Sequence, residues 1–294
     1  MMALSDSALA RWKKYLRADP TRWLLETGDP SILLWYQLDI AHRPEDARAV
    51  IETRERVLYS EPVQTIFAAQ DELGFWGNAE NLAAPYYTAT LWNLALLAEL
   101  GIPRTSRRAR NACEFALQNF LREDGTFAGL NAVEGGYLIH ALAYFKLARD
   151  ARVVRAAKAL VQAKGLNAEW SRLWAWRELG AQESFAADIA LALERALNSL
   201  DAPEVVSGFT FPPFDLDDPL FILRVLAEYN RVHDSRAERL VEILLKQQDE
   251  RGCFPLAESF QDWLLIQIET PRTASRWATL NALRVIVKLV MRQT

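Results

Sequence analysis

Two kinds of apolar segment alternate along this chain of 294 residues, and the alternation constrains the fold more than any other feature. In the first kind, apolar residues recur every three or four positions and charges occupy the opposite face. These amphipathic segments span 107–121, 151–162, 185–200 and 236–247. The second kind is apolar on nearly every face and spans 87–100, 137–147, 220–229 and 277–290. A helix that is apolar all round must be buried, so the pattern predicts an all-α fold with an apolar inner ring inside an amphipathic outer ring.

A glycine pattern repeats after the amphipathic segments. Residues 70–76 and 248–254 both read Gln, three residues, Gly, one residue, aromatic. Looser versions of the pattern surround Gly125, Gly165 and Gly208. The glycines recur at intervals of about 40 to 50 residues, which is typical of helical-pair repeats. We expect each glycine to end an outer helix in a left-handed conformation, with the following aromatic ring packed over that end.

This repeat resembles that of the terpenoid cyclases and protein prenyltransferases, the squalene-cyclase-like α/α toroids. Residues 84–101 and 275–286 resemble inner helices of that superfamily. The whole chain resembles single-domain bacterial proteins of squalene-cyclase-like or prenyltransferase-like type, which share an opening like residues 19–26 and an ending like residues 277–285.

The resemblance implies one domain over residues 1–294, a single α/α toroid of about six helical pairs. Its N-terminal helices would occupy residues 1–58 and its repeats residues 59–294. We expect the C-terminal helix, residues 277–292, to close the toroid by packing beside the N-terminal helices.

Three aspartates, Asp215, Asp217 and Asp218, form the sharpest local motif, Asp-x-Asp-Asp, before an inner helix. The motif resembles the acid of class II terpene cyclases, which protonate an alkene in a dry cavity. Clustered and buried carboxyl groups have raised pKa values, which suits that chemistry. The resemblance assigns Asp217 as the proton donor and the other two as groups that position its proton. The alternative is a helix cap, because aspartate accepts bonds from free N–H groups and Pro219 suits a first helical turn.

Aromatic residues near the starts of the inner helices supply a candidate binding surface. Their ring faces are attracted to positive charge, as a carbocation cyclization would require. The candidate substrate-binding residues are Tyr86, Tyr87, Trp92, Tyr137, His140, Phe211, Phe214 and Trp277. Packing in the core is the alternative for each ring, and a lone histidine on an apolar helix is commonly a core residue.

The leading hypothesis is a terpenoid cyclase-like protein that binds an isoprenoid-like apolar small molecule in the toroid cavity. Proton-initiated cyclization by Asp217 would follow if the protein is an enzyme. One alternative is a non-enzymatic lipid-binding or interaction scaffold. Another is a carbohydrate-processing toroid, whose two carboxylates would be Glu134 and Asp217.

Composition and charge reduce the number of partner classes that we expect. A formal charge of −4 and a pI of about 5.6 disfavour nucleic acid. No apolar stretch approaches the ~18 residues of a membrane span, and no basic amphipathic segment supports peripheral membrane contact. Cys113 and Cys253 cannot form a disulfide framework, and the polar N-terminus has no signal-peptide core, so we expect a cytoplasmic protein. No zinc cluster or glycine-rich phosphate loop occurs, so we expect neither metal nor cofactor.

Overall fold

The computed structural model describes residues 11–163, 166–179, 185–201, 208–259 and 263–291. Within these ranges the chain is mostly helical, which confirms the predicted all-α class. Gly165 and the end of the predicted C-terminal helix at residue 292 lie outside the described residues.

Contacts divide the chain into two compact units. Unit 1 consists of Met1–Val57, Leu200–Ser259 and Glu269–Thr294. Unit 2 consists of Leu58–Ser199 and Phe260–Ile268. Three expectations therefore stay predictions. They are the single domain over residues 1–294, the closed toroid and the number of about six helical pairs.

The regular elements are short to medium in length. The α-helices are α1 (Thr21–Leu25), α2 (Pro30–Trp35), α3 (Arg48–Leu58), α4 (Glu61–Ala68), α5 (Thr90–Leu100), α6 (Arg107–Asn119), α7 (Ala132–Leu142), α8 (Ala151–Ala159), α9 (Leu166–Trp176), α10 (Ala186–Asn198), α11 (Pro219–Glu228), α12 (Glu238–Lys246) and α13 (Arg276–Met291). Shorter helical turns are Arg11–Tyr15, Tyr36–Ile40, Ala143–Leu147, Leu160–Gln162, Ser199–Asp201 and Ser235–Ala237.

The part of the chain that the structure describes contains four two-residue strands, and all of them lie in unit 1. They are β1 (Thr210–Phe211), β2 (Phe254–Pro255), β3 (Glu258–Ser259) and β4 (Ala274–Ser275). β1 pairs in parallel with β3, and β2 pairs antiparallel with β4. The sequence pattern does not predict these strands, because two residues are too few to show a period.

The predicted distinction between apolar and amphipathic helices is present. Every residue of α5 is buried, whereas α6 buries a stripe of residues that includes Ala109, Cys113 and Ala116. α7 begins earlier than predicted, at Ala132, because the side chain of Asn131 caps it. Apolar periodicity marks the buried face of a helix and carries no information about where a cap starts it.

In unit 2 the apolar helices lie side by side. α7 packs between α5 and α9. The amphipathic helix that follows each of them packs back onto it, so that α6 contacts α5, α8 contacts α7 and α10 contacts α9. This unit therefore consists of consecutive helical pairs, as the repeat predicts.

In unit 1 the C-terminal helix packs beside the N-terminal helices, as predicted. α13 contacts α1, α2 and the turn Arg11–Tyr15, and it also contacts α11. Arg284 of α13 pairs with Asp39, with Nε 2.7 Å from Oδ2, and its guanidinium lies 4.8 Å from the ring centre of Trp35.

The repeated glycines close one kind of tight turn. Gly74, Gly125 and Gly252 have φ angles of +99°, +86° and +75°. Each donates its N–H to the carbonyl three residues earlier, and that residue donates to the carbonyl four residues further on. The left-handed conformation is therefore confirmed at these three positions. The expectation that the glycines end the helices is wrong, because α4, α6 and α12 end several residues earlier, at Ala68, Asn119 and Lys246.

Gly208 does not belong to this set. Its φ is not in the left-handed region, and a Cβ there would lie 2.1 Å from the Cβ of Ala257. It precedes β1, and Ala257 precedes β3, so close pairing of these two segments explains the glycine.

The motif glutamines join each turn to a segment distant in sequence. Gln70 donates to the carbonyl of Arg108 in α6 at 3.1 Å. Gln248 donates to the carbonyl of Tyr15 at 3.0 Å and accepts from the backbone N–H of Arg17 at 3.1 Å. The N-terminal segment therefore takes the place beside Gln248 that α6 takes beside Gln70.

The motif aromatics are buried, as predicted. Trp76 donates its indole N–H to the carbonyl of Ile66 in α4 at 2.7 Å. Its backbone N–H donates to Thr90 at the start of α5, and the backbone N–H of Phe254 donates to Thr279 in α13 in the same way.

Candidate functional site

One of the three motif aspartates of unit 1, Asp218, caps the N-terminus of α11. Asp218 is 1% exposed, and its Oδ1 accepts from the backbone N–H of Leu220 at 2.7 Å. Its Oδ2 accepts from the backbone N–H of Thr210 at 2.7 Å and from the Thr210 hydroxyl at 2.9 Å. Burial raises the pKa of Asp218 to about 7, although the bonds from Thr210 and Leu220 act in the opposite direction. The capping role is thus present, and it also joins α11 to β1.

The other two aspartates lie nearer the surface. Asp217 is exposed, and its backbone N–H donates to Oδ1 of Asp215 at 2.9 Å. Partial burial and the charge of Asp215 raise the pKa of Asp217. Protonating an alkene requires a carboxyl group shielded from water, and the exposure of Asp217 gives no support to that role. The acid function of Asp217 stays a prediction.

The aromatic candidates of unit 1 are packed into its core. Phe211 and Trp277 stack with ring centres 4.0 Å apart and planes at 10°. They are 1% and 2% exposed, and Phe214 is 9% exposed. The structure brings Phe211 and Trp277 together, but in this unit their rings face each other.

The aromatic candidates of unit 2 form an open group. We call Tyr86, Tyr87, Trp92, Tyr137 and Trp263 the aromatic cluster. Ring centres of Tyr87 and Trp92 lie 5.0 Å apart, those of Tyr86 and Trp92 5.7 Å, and those of Trp92 and Tyr137 6.1 Å. Trp263 stacks on Tyr87 at 5.8 Å with planes at 7°. Tyr86 and Trp263 are 59% and 63% exposed, so the cluster is open to solvent.

Local structure before α5 positions these rings. Tyr87 has a left-handed backbone, with φ of +64°, in the turn that precedes the helix. The indole N–H of Trp92 donates to the carbonyl of Ala83 at 2.8 Å, which fixes the ring under this turn. Trp92 is 4% exposed and Tyr137 is 2% exposed, so these two rings form the floor of the cluster.

Glu134 lies at one side of the aromatic cluster and is 6% exposed. Its Oε1 accepts from the hydroxyl of Tyr86 at 3.2 Å, and its Oε2 accepts from the backbone N–H of Asn131 at 2.9 Å. The second bond completes a capping box with the side chain of Asn131 at the start of α7. Both oxygens are therefore engaged, and the role of Glu134 as a carbohydrate-processing carboxylate stays a prediction.

His140 belongs to a different part of unit 2. It is 1% exposed, and its ring centre lies 5.0 Å from that of Trp174. Its Nε2 is 3.3 Å from Nη2 of Arg177, which also lies 3.6 Å from Oε1 of Glu99. These contacts fit a polar group within the core.

Trp263 and a separate pocket in unit 2 were not predicted from the sequence. Trp263 lies in a segment without helical period, and only its residue type could have drawn notice. The pocket has a volume of about 270 Å³. Its lining has no charged side chain and consists of Gly125, Thr126, Phe127, Leu130, Asn131, Ala132, Gly135, Ile139, Ala156, Ala159, Leu160, Gln162 and Ala163.

Comparison with known proteins gives no family assignment. No protein-family model matches the chain, and a search of curated proteins returns no match.

Among the described residues, no helix is long and apolar enough to cross a membrane. The same part of the chain holds no group of three or more His, Cys, Asp or Glu side chains arranged to bind a metal ion.

Proposed function

We propose that the protein binds an isoprenoid-like apolar small molecule at the aromatic cluster of unit 2. One observation carries this proposal. Tyr86, Tyr87, Trp92 and Tyr137, four of the residues that the sequence predicts for substrate binding, are in ring contact with one another, and Tyr86 remains 59% exposed.

Large exposed rings cost free energy in water, and contiguous apolar surface of this kind marks interaction sites. Trp92 and Tyr137 are buried and give the exposed rings a packed base. A branched, unsaturated hydrocarbon would cover the exposed ring faces and remove them from water. The resemblance of the repeat to terpenoid cyclases supports the same class of ligand.

This proposal is for binding. The hypothesis that Asp217 drives a cyclization is not part of it, because Asp217 is exposed in unit 1. A pure interaction scaffold differs in a measurable way, since it would not bind an isoprenoid alcohol at a defined site, whereas a lipid-binding scaffold would.

Replacing Tyr86 by alanine tests the proposal. Equilibrium dialysis of the purified chain with radiolabelled farnesol measures the dissociation constant. Loss of one ring from the ligand-binding surface removes roughly 1.5 kcal/mol of apolar contact. We therefore expect the dissociation constant of the Tyr86→Ala variant to be about tenfold higher or more.

The matched control is Tyr59→Ala, because Tyr59 is also in unit 2, is 74% exposed and lies outside the cluster. We expect that variant to bind farnesol as the wild type does. Equal affinities in all three proteins, or no saturable binding in any of them, would refute the proposal.

A further inference from the structure

The carboxylate beside the aromatic cluster differs from other buried glutamates of unit 2. Glu99 pairs with Arg177 at 3.6 Å, and Glu169 forms an ion pair with Arg172. Glu134 instead accepts from a phenol and a backbone N–H. In the ranges that the structure describes, no lysine, arginine or histidine forms an ion pair with it. A buried carboxylate of this kind favours a cation beside it.

The rings around Glu134 act in the same direction. The faces of tryptophan and tyrosine rings carry negative potential and attract a cation that lies over them. Tyr86 donates its hydroxyl proton toward Glu134, and the carboxylate raises the pKa of that hydroxyl, so the phenol stays a neutral donor. The exposed rings and the buried carboxylate beside them therefore both make the potential at this site negative.

Two of the arginines that follow α5 are used elsewhere in unit 2. Arg104 pairs with Glu178 at 2.9 Å and lies over the ring of Tyr144, 4.6 Å from its centre. Arg108 lies over the ring of Phe67 and donates to Gln70 at 3.0 Å. Both side chains are held by these contacts, so these arginines do not supply the cluster with a site for a diphosphate.

We propose that the aromatic cluster and Glu134 bind the ammonium group of a cationic amphiphile, with the hydrocarbon part on the exposed rings of Tyr86 and Trp263. This inference rests on the proposed function, since it specifies the charge of the ligand that the same cluster takes. The expected ligand is an amine or quaternary ammonium with an isoprenoid-like chain, and an anionic diphosphate is excluded from the site by the charge of Glu134.

Three ligands with the same hydrocarbon and different charge test the inference. N,N-dimethylfarnesylamine is a cation at pH 7, farnesol is neutral and farnesyl diphosphate is an anion. Competition against radiolabelled farnesol gives the three affinities. We expect the amine to bind at least tenfold more tightly than farnesol, and the diphosphate to bind more weakly than farnesol.

Glu134→Gln is the informative variant, because glutamine can still complete the capping box. We expect it to reduce the advantage of the amine over farnesol, both measured in the same variant, to less than about threefold. The control Glu123→Gln changes the net charge equally at an exposed position of unit 2 and should keep the full advantage.

The outcomes separate the two claims. Farnesol binding that depends on Tyr86, without preference for the amine, would overturn this inference and leave the proposed function in place. An unchanged preference in Glu134→Gln would also overturn it. No binding of any of the three ligands would overturn both.

Discussion

Replacing Gly252 by alanine is expected to destabilise the protein severely or prevent it from folding. Gly252 has φ of +75°, and a Cβ there would lie 2.1 Å from the carbonyl oxygen of Ala18. That oxygen belongs to the backbone of a segment held by the bonds between Gln248 and Arg17. It cannot move aside as a flexible side chain could. We expect a loss of about 4 kcal/mol or more in the free energy of unfolding, measured by urea denaturation.

Gly129→Ala is the matched control, because Gly129 also has φ of +75° and has nothing within 4 Å of the added Cβ. It should lose only the about 1–2 kcal/mol that a left-handed alanine costs. Gly125→Ala tests whether the repeated turns share the same close approach to a neighbouring backbone. The added Cβ would lie 2.8 Å from the carbonyl oxygen of Arg155 in α8. We expect Gly125→Ala to resemble Gly252→Ala. Equal stabilities for Gly252→Ala and Gly129→Ala would contradict the close approach.

Replacing Asp218 by alanine is also expected to destabilise the protein strongly. The change removes the cap of α11 and leaves the hydroxyl and backbone N–H of Thr210 buried without their acceptor. A lost cap costs about 1 kcal/mol, and each buried donor left unsatisfied costs about 1–3 kcal/mol. We therefore expect a loss on the order of 3 kcal/mol, measured at pH 5 by urea denaturation. Asp217→Ala, at the exposed neighbour, should change stability by less than about 0.5 kcal/mol.

The effect of Asp218→Ala should depend on pH. The folded chain raises the pKa of Asp218 from 3.8 to about 7, so the folded state holds this proton more tightly than the unfolded state. The contribution of Asp218 to stability is complete below about pH 4 and falls as the pH rises to about 7, by at most about 1.4 kcal/mol per pH unit. The difference between wild type and variant should thus be larger at pH 5 than at pH 8. A difference that grows with pH would show that the bonds from Thr210 and Leu220 outweigh burial.

Helical periodicity was sufficient to predict α5, α6, α8 and α10 to α13, whereas α9 was not among the predicted segments. The segments 107–121 and 220–229 match α6 (Arg107–Asn119) and α11 (Pro219–Glu228) closely, because each has a clear pattern of buried residues. The start of α7 was missed, although Asn131 and Glu134 have the spacing of a capping box. A capping box depends on two polar side chains, and apolar periodicity does not detect them.

The glycine repeat was predicted from spacing, but its local structure was not. The sequence shows that Gly74, Gly125 and Gly252 are equivalent, and their left-handed backbones confirm this. It does not show that the helices stop earlier and that the glycines lie in a separate turn. That depends on how closely the turn approaches the next segment, such as Ala18 beside Gly252.

The candidate site was predicted in part. The sequence placed Tyr86, Tyr87, Trp92 and Tyr137 near helix starts, and the structure brings their rings together. It could not distinguish them from Phe211 and Trp277, which have similar positions but bury their faces against each other. Residue type and helix position do not determine which rings remain exposed, since exposure depends on segments far away in sequence. Trp263, for example, stacks on Tyr87 from a segment far away in sequence.

The location of the bound ligand tests the central claim most directly. A farnesol analogue that carries a diazirine, crosslinked by light to the full chain, reports the residues it touches when the peptides are mapped by mass spectrometry. The account predicts crosslinks at Tyr86, Tyr87 or Trp263 that excess farnesol abolishes. Crosslinks concentrated instead at the separate pocket, on Ala156 or Leu160 for example, or crosslinks that excess farnesol leaves unchanged, would contradict it.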